Sequence, residues 1–253
     1  MVATIVEPSV LNNGSGNDMP IIDAKPFHYD FSFDHVALVC IDMQKDFCQP
    51  GGFAESLGDN IKNLQPCIPV IAKLQEAFRK AELPIIHTKE CHKPDLSDLP
   101  TAKRNRGNPK LKIGDKGPMG RILIDGEPGS DFIPECYPAE WELVISKPGK
   151  DTFYNTEFDD YMKLRKITHL VITGVTTEVC VQTTMRCAND RGYDCILIED
   201  GTDSYFPEFK EVTLRALVAQ GGIVGWTGKS DALLDLLAKE QPGQVRSATS
   251  FAA

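Results

Sequence analysis

Short runs of apolar residues alternate along the chain with longer stretches in which apolar residues recur every three or four positions. The short runs are apolar throughout, which is typical of parallel strands that are covered on both faces. The longer stretches have the period of amphipathic helices. The predicted strands are His35–Asp42, Leu83–Lys89, Leu143–Lys147, His169–Gly174, Asp194–Asp200 and Gly222–Gly225. The predicted helices are Pro66–Ala81, Glu157–Lys166, Glu178–Asp190, Pro207–Ala219 and Ser230–Lys239.

This alternation predicts one α/β domain over residues 26–240, with a six-stranded, mostly parallel sheet between two layers of helices. Residues 1–25 are rich in Asn, Gly, Ser and Pro and lack periodicity, so we expect a mobile N-terminal arm, and we expect a similar tail over residues 241–253. The segment Pro94–Gly129 is rich in proline, glycine and lysine. It is too irregular for a core element and predicts a long functional loop or lid.

Composition and charge narrow the classes of partner. Acidic residues outnumber basic ones by 36 to 27, giving a formal charge of −9, which argues against a nucleic-acid partner. No apolar run approaches the ~20 residues of a membrane span, and the first residues lack the pattern of a secretory signal. The eight cysteines are scattered singly without a CxxC pair, which favours free thiols in a reducing, cytoplasmic setting.

Three reactive side chains stand where predicted strands end. Asp42 closes the first strand, Lys147 closes the third, and Cys180 follows the fourth within the first turn of the next helix. Ligands of such sheets bind at the carboxyl ends of the strands. A helix N-terminus also favours the thiolate form of a cysteine. The three residues together predict a cysteine nucleophile with a carboxylate and an ammonium group beside it.

Each residue also has a structural interpretation when it is taken alone. Asp42 could cap a helix or anchor a loop, Lys147 could extend its amine to solvent, and Cys180 could be a small buried hydrophobic residue. Lys150 is a second candidate for the amine, although it lies beyond Pro148 in the loop. On the structural interpretation the chain would be a non-catalytic α/β binding module.

Three segments of the chain resemble the signatures of the isochorismatase-like cysteine hydrolases. They are Ile41-Asp-Met-Gln-Lys-Asp-Phe47, Ser146-Lys-Pro-Gly-Lys-Asp-Thr-Phe153 and Thr173-Gly-Val-Thr-Thr-Glu-Val-Cys-Val181. Within that superfamily the chain is most similar to biuret amidohydrolases and next to ureidoacrylate amidohydrolases. The stretches that carry this closer likeness include His87-Thr-Lys-Glu-Cys-His-Lys-Pro-Asp95 and Gly117-Pro-Met-Gly-Arg-Ile-Leu123.

The resemblance implies a catalytic triad of Asp42, Lys147 and Cys180. It also implies a cis peptide between Val175 and Thr176, and an oxyanion hole made by the backbone N–H groups of Thr176 and Cys180. The activity that it implies is hydrolysis of a small urea-type amide through a thioester, with biuret as the substrate and allophanate and ammonia as the products. Ureidoacrylate, nicotinamide and related small amides are the alternative substrates.

The same resemblance implies substrate contacts and an assembly. Phe47, Glu90, Lys150 and Gln220 correspond to positions that line the pocket, and Gln220 would hold a carbonyl or amide of the substrate. The family likeness further implies that the chain forms a homo-oligomer, a tetramer, and that it needs no cofactor.

Two features of the chain depart from the family patterns. The stretch Asp151–Asn155 carries larger residues than biuret hydrolases have there, which could reshape the pocket. Nicotinamidases of the superfamily bind zinc through an Asp-x-His motif and a further histidine. Here Glu90 and His92 stand in that motif without a second histidine within reach, so we expect no metal site.

Overall fold

The computed structural model describes residues 20–107 and 109–239. Its strands are β1 (Ile21–Ile22), β2 (Ala24–Lys25), β3 (Tyr29–Asp30), β4 (Val36–Ile41), β5 (Ile85–Glu90), β6 (Lys116–Gly117), β7 (Gly120–Arg121), β8 (Leu143–Lys147), β9 (His169–Val175), β10 (Asp194–Asp203) and β11 (Trp226–Gly228). Its α-helices are α1 (Lys45–Cys48), α2 (Phe53–Ser56), α3 (Cys67–Lys80), α4 (Thr101–Arg104), α5 (Phe158–Leu164), α6 (Gln182–Asp190), α7 (Pro207–Leu217), α8 (Ala219–Gly222) and α9 (Ser230–Lys239). Short 3-10 turns are Ile61–Leu64, Pro128–Ser130 and Pro134–Cys136, and a π-helical turn spans Thr177–Val181.

Seven strands form the central sheet in the order β2-β11-β10-β9-β4-β5-β8. All neighbours pair in parallel except β2, which runs antiparallel to β11 at one edge. The prediction of an α/β fold with a mostly parallel sheet is confirmed, but the sheet has one strand more than predicted. The additional strand, β2, lies within the predicted N-terminal arm, because its backbone pairs with the otherwise open edge of β11. Residues 1–19 of that arm and the tail over 241–253 lie outside the described residues.

The alternation of side chains along β4 shows that the sheet is the middle one of three layers. Every second residue, from Val36 to Cys40, joins the apolar cluster beneath α3 and α9, and the residues between them join the cluster beneath α5, α6 and α7. Successive side chains of a strand point to opposite faces. Because every residue of β4 is buried, both faces of the sheet are covered by helices.

The sixth predicted strand is displaced toward the C-terminus. Gly222 and Gly225 have φ values of +78° and +149°, outside the range of a regular strand. They belong to the end of α8 and to the connection that follows, and strand β11 begins at Trp226. The other five predicted strands are present with small shifts at their ends.

Two further observations concern the cysteines and the helices. All eight cysteines are free thiols, seven of them buried and Cys187 half-buried. Within residues 20–107 and 109–239, none of the helices has the length and apolar character needed to cross a membrane.

Candidate active site

The carboxylate of Asp42 and the amine of Lys147 meet at the carboxyl edge of the sheet. Asp42 follows β4 directly, and Lys147 is the last residue of β8. Lys147 Nζ donates to Asp42 Oδ2 at 2.7 Å, and neither side chain is exposed to solvent. Thr88 Oγ1 donates to the other oxygen of the Asp42 carboxylate at 2.6 Å. The buried carboxylate therefore has a counter-charge and a hydrogen-bond donor, as a buried charge requires.

A close approach of β9 to β4 brings Cys180 to the same edge. Cys180 lies in the turn Thr177–Val181, which follows β9 and leads into α6. Within β9, Gly174 has a φ of +112°, and a Cβ atom on this residue would lie 2.1 Å from the carbonyl oxygen of Ile41. Glycine alone allows two backbones to come this close. The two strand ends that carry Asp42 and Cys180 are therefore held side by side.

Glu90, the last residue of β5, completes the group around the sulfur. Its Oε2 atom lies 3.5 Å from Cys180 Sγ. The sulfur and one oxygen each of Asp42 and Glu90 lie within 4.8 Å of one another. The thiol, the carboxylate and the ammonium group that stand at three strand ends in the sequence thus converge in one buried site.

The thiol of Cys180 is neutral in this environment. Burial raises the pKa of the thiol well above its ordinary value, and although Lys147 acts to lower this pKa, Asp42 and Glu90 act to raise it. The sequence led us to expect that the helix N-terminus favours a thiolate. Burial and two neighbouring carboxylates act in the opposite direction.

Lys147 and Glu90 both carry their charge. Burial acts to lower the pKa of Lys147, but the negative charges of Asp42 and Glu90 outweigh burial and raise this pKa above its ordinary value. Burial acts to raise the pKa of Glu90, but three surrounding lysines lower it to about 2. The site is therefore a network of ion pairs around one uncharged thiol.

Two lysines from different segments bind the Glu90 carboxylate. Lys150 Nζ donates to Oε1 at 2.6 Å and to Oε2 at 2.8 Å. Lys103 Nζ, from α4, donates to Oε1 at 2.8 Å and also contacts His92 and Pro148. The structure thus places Glu90 and Lys150, which the resemblance assigns to the pocket, next to the group formed by Asp42, Lys147 and Cys180.

Sequence reasoning missed two residues of this site. Thr88 lies inside β5, where a threonine is typical of strand structure and gives no functional signal. Lys103 lies in the segment Pro94–Gly129, which has no periodicity to show which of its basic residues turns inward. The one signal available was that this segment, predicted as a lid, is rich in lysine.

The other two predicted pocket residues are not among the contacts of the site. Phe47 lies in α1 at the same edge of the sheet, where it is half-buried against the apolar cluster beneath α3 and α9. Gln220 is exposed at the opposite edge of the sheet. Helix α7 starts after the carboxyl end of β10 and runs for 11 residues, about 16 Å, so that Gln220 in α8 stands near the start of β11.

The turn that carries Cys180 begins at a cis peptide. The bond between Val175 and Thr176 is cis, as the resemblance implied. The carbonyl oxygen of Thr176 accepts hydrogen bonds from the N–H groups of Val179 and Val181, which fixes the turn around the sulfur. The oxyanion hole of the Thr176 and Cys180 N–H groups stays a prediction.

Part of the bulky stretch Asp151–Asn155 belongs to the core. The ring of Phe153 is buried in the cluster beneath α5, 4.8 Å from the ring of Phe158. The hydroxyl groups of Thr152 and Thr184 share a hydrogen bond of 3.0 Å. Two of the residues that we expected to reshape the pocket therefore hold the loop after β8 against α5 and α6.

Asp42, Glu90 and Cys180 lie close enough together to offer three ligand atoms to a metal ion. The charges around them argue against such a site. Lys147 donates to the first carboxylate and two lysines donate to the second, so a cation would meet three ammonium groups at short range. A neutral thiol is also a poor ligand until it loses its proton. The metal-free site stays a prediction.

Comparison with known proteins adds independent evidence. A family model described as the isochorismatase domain matches residues 36–227. An isochorismatase family protein from Desulfovibrio vulgaris subsp. vulgaris str. Hildenborough is similar in structure, with a TM-score of 0.68, 27% sequence identity, and coverage of 81% of this chain and 100% of that chain. A cysteine hydrolase from Pseudomonas syringae pv. phaseolicola 1448A has a TM-score of 0.71 at 20% identity, with coverage of 88% and 99%. N-carbamoylsarcosine amidase from Thermoplasma acidophilum has a TM-score of 0.58 at 23% identity, with coverage of 78% and 97%.

The region of the family match contains the whole of the candidate site. Asp42, Glu90, Lys147 and Cys180 all fall between residues 36 and 227, which make up more than half of the chain. The match also includes the parallel strands whose ends position these four side chains. On this evidence the chain belongs to the isochorismatase family.

Proposed function

We propose that this chain is a metal-independent amidohydrolase that cleaves a C–N bond of a small urea-type amide, with biuret as the substrate and allophanate and ammonia as the products. The observation that carries the proposal is the buried cluster of the Cys180 thiol, the Asp42 carboxylate and the Lys147 ammonium group. This cluster supplies a nucleophile, a base and a counter-charge in one enclosed place.

The first half of the reaction begins with a proton transfer. Because the resting sulfur is a thiol, Asp42 accepts the proton of Cys180 as the sulfur attacks the carbonyl carbon of the amide. Lys147 stays protonated and balances the negative charge that moves between the carboxylate and the sulfur. The N–H groups of Thr176 and Cys180 receive the developing oxyanion, a contribution of about 3 kcal/mol for each donor.

The second half releases the two products in turn. The C–N bond breaks as Asp42 returns its proton to the leaving nitrogen, so ammonia departs and a thioester remains on Cys180. Water then attacks the thioester carbon while Asp42 accepts a proton from it. The C–S bond breaks, the sulfur recovers its proton from Asp42, and the acid product leaves. The net reaction consumes one amide and one water.

The ion pairs around the pocket favour an uncharged substrate. Lys147 pairs with Asp42, and Lys103 and Lys150 both pair with Glu90. Each of the lysines already has a carboxylate partner. An anionic substrate would therefore have to displace an existing ion pair, whereas a neutral urea offers N–H donors to Glu90 and carbonyl acceptors to the lysines.

One structural neighbour is named for a substrate with a similar group. N-carbamoylsarcosine amidase shares the fold of this chain, and its name specifies a carbamoyl compound. At 23% identity the likeness supports the fold alone. The choice of biuret therefore rests on the lysines of the pocket already having carboxylate partners and on the resemblance to biuret amidohydrolases.

Ammonia release from biuret, triuret, ureidoacrylate and nicotinamide tests the proposal. We expect biuret to have the highest kcat/KM, and Cys180→Ser to lose activity by a factor of about 10³ or more. Cys187→Ser, which changes a half-buried thiol on α6, is the matched control and should keep activity. Preference for ureidoacrylate or nicotinamide would replace biuret as the substrate. Absence of turnover with every amide would favour the non-catalytic binding module.

We also propose that the chain assembles as a homotetramer, the state that the resemblance implies. Phe209 and Val212 on α7 support a contact between subunits, because both are large apolar residues, 47% and 61% exposed, on the same face of the helix. Light scattering gives the mass in solution. We expect Val212→Glu to weaken the assembly, and a monomeric wild-type protein would contradict the proposal.

A further inference from the structure

Lys103 reaches the active site from outside the sheet. It lies in α4, a single helical turn within the segment Pro94–Gly129. Its Nζ atom lies 2.8 Å from Glu90 Oε1, 3.0 Å from His92 Nε2 and 2.5 Å from the carbonyl oxygen of Pro148. The side chain is 21% exposed, so most of it is enclosed by these partners.

The partners of Lys103 stand directly beside the catalytic groups. The other oxygen of Glu90, Oε2, lies 3.5 Å from Cys180 Sγ. Pro148 follows Lys147 in the chain and starts the loop after β8. The contact of Lys103 therefore connects the segment Pro94–Gly129 with the carboxylate next to the sulfur and with the loop behind the buried lysine.

The His92 ring fits a positively charged Lys103. An ammonium group donates and cannot accept, so His92 Nε2 is the acceptor and Nδ1 carries the proton. Nδ1 lies 3.3 Å from Asp98 Oδ1, close enough for an electrostatic contact, although the angle is not that of a hydrogen bond. Burial lowers the pKa of His92, and the charge of Lys103 lowers it further, so the ring is neutral.

We propose that Lys103 is a positioning residue of the active site, which docks the segment Pro94–Gly129 and holds the Glu90 carboxylate as an anion beside the Cys180 sulfur. The inference rests on the proposed hydrolysis of an amide at Cys180. A carboxylate that lysines hold in this way binds protons weakly. Asp42 then remains the base for the thiol proton, and Glu90 remains an acceptor for the N–H groups of the substrate.

Charged and titratable groups face Glu90 from every element that packs against it. They are Lys147 and Lys150 at the end of β8 and after it, Asp42 after β4, Cys180 in the turn after β9, His92 after β5, and Lys103 from α4. Removal of Lys103 leaves two cations beside Glu90. The pKa of Glu90 then rises. Of the two lysines that donate to its Oε1 atom, only Lys150 remains.

Lys103→Met and Lys103→Arg distinguish positioning from simple packing. We expect Lys103→Met to lower kcat/KM for the hydrolysed amide at least tenfold at neutral pH. We also expect the acid limb of its pH profile to move up by about 1 pH unit or more, because the acids of the site bind their protons more strongly when a neighbouring cation is lost. Lys103→Arg keeps the charge and should return the acid limb to its wild-type position. A merely structural role would lower the rate equally at all pH values in Lys103→Met, and this result would overturn the proposal.

Lys89→Met is the matched control for the docking of the segment. Lys89 Nζ lies 2.6 Å from Asp125 Oδ1, so it ties the same segment to β5, but it stands on the opposite face of the strand from Glu90. We expect Lys89→Met to keep the wild-type pH profile. A wild-type profile in Lys103→Met, or an equal shift in both variants, would overturn the proposal.

Hydrogen–deuterium exchange over residues 94–129 supplies a readout that needs no substrate. Exchange should increase more in Lys103→Met than in Lys89→Met, because the first variant loses three contacts of one amine. Equal exchange in the two variants would contradict the docking role. If the wild-type protein hydrolyses no amide, the proposed function fails, and this comparison still decides whether Lys103 docks the segment.

Discussion

The amine of Lys147 lies 2.7 Å from the carboxylate of Asp42, and both side chains are fully shielded from solvent. The pair joins the end of β4 to the end of β8 across the intervening strand β5. Desolvation offsets much of the attraction in a buried pair, so its net contribution to stability is small. Loss of one partner, in contrast, leaves an unpaired charge in the interior.

Lys147→Met should therefore destabilise the protein by about 3–5 kcal/mol. The double variant Asp42→Asn/Lys147→Met should be more stable than this single variant, because neither residue then buries a charge. Urea denaturation followed by circular dichroism gives the free energies of unfolding. Lys89→Met removes a pair at the surface and should cost less than about 1 kcal/mol. Similar losses of unfolding free energy in Lys147→Met and Lys89→Met would show that burial of the Asp42–Lys147 pair does not affect stability.

Cys180 should react slowly with iodoacetamide at pH 7 and faster as the pH rises, because burial and the carboxylates of Asp42 and Glu90 raise the pKa of its thiol. Glu90→Gln should increase the rate at neutral pH, since it removes one of the charges that oppose the thiolate. Mass spectrometry of the labelled peptide follows the reaction, and Cys180→Ser identifies the site. A rate that is already maximal at pH 6 would mean that the resting sulfur is a thiolate.

Glu90 should contribute stability that is lost in acid. Its pKa is about 2 in the folded protein and about 4.3 in an unfolded chain, so the unfolded state binds the proton first as the pH falls. The contribution is complete above about pH 5, and roughly 3 kcal/mol of it disappears as the pH falls to about 2. Unfolding free energies of Glu90→Gln should depend less on pH in this window. Asp125→Asn, at a half-exposed carboxylate, is the control, and equal pH dependence in the two variants would refute the role of Glu90.

Gly174→Ala should prevent folding or destabilise the protein by more than about 4 kcal/mol, because the new Cβ would overlap the backbone of Ile41 and the φ is positive. Gly192→Ala is the matched control, since its φ is also positive but its Cβ would meet open space. The control should cost about 1–2 kcal/mol. Soluble yield and urea denaturation measure both effects. Equal losses in the two variants would show that β9 can move away from β4.

Chelation should leave the hydrolytic activity unchanged, because three ammonium groups surround the atoms that could ligate a metal ion. Dialysis against EDTA, with the metal content measured by mass spectrometry before and after, tests this expectation. Activity that falls on dialysis and returns when zinc is added would contradict it. A dialysed sample that regains activity in buffer without metal controls for slow denaturation.

The sequence by itself determined the architecture and the edge of the sheet at which the site lies. Apolar runs without alternation predict strands that are covered on both faces, and the structure confirms this for β4. Asp42 and Lys147 each end such a run, and Cys180 follows another. The carboxyl ends of parallel strands lie at the same edge of the sheet. The position of each residue at or after a strand end was therefore enough to predict that the three side chains meet there.

The tertiary structure decided every property that depends on atoms from distant segments. Lys103 reaches Glu90 from a segment without periodicity. Gln220 lies at the edge of the sheet opposite to the site, because α7 runs from the carboxyl ends of the strands back toward their amino ends. The neutral state of Cys180 follows from burial and from two carboxylates on other strands. Hydrophobic periodicity reports which face of an element is buried, because it is a local property of the chain. Distances and pKa values arise from packing between segments, so they became visible only when the fold brought those segments together.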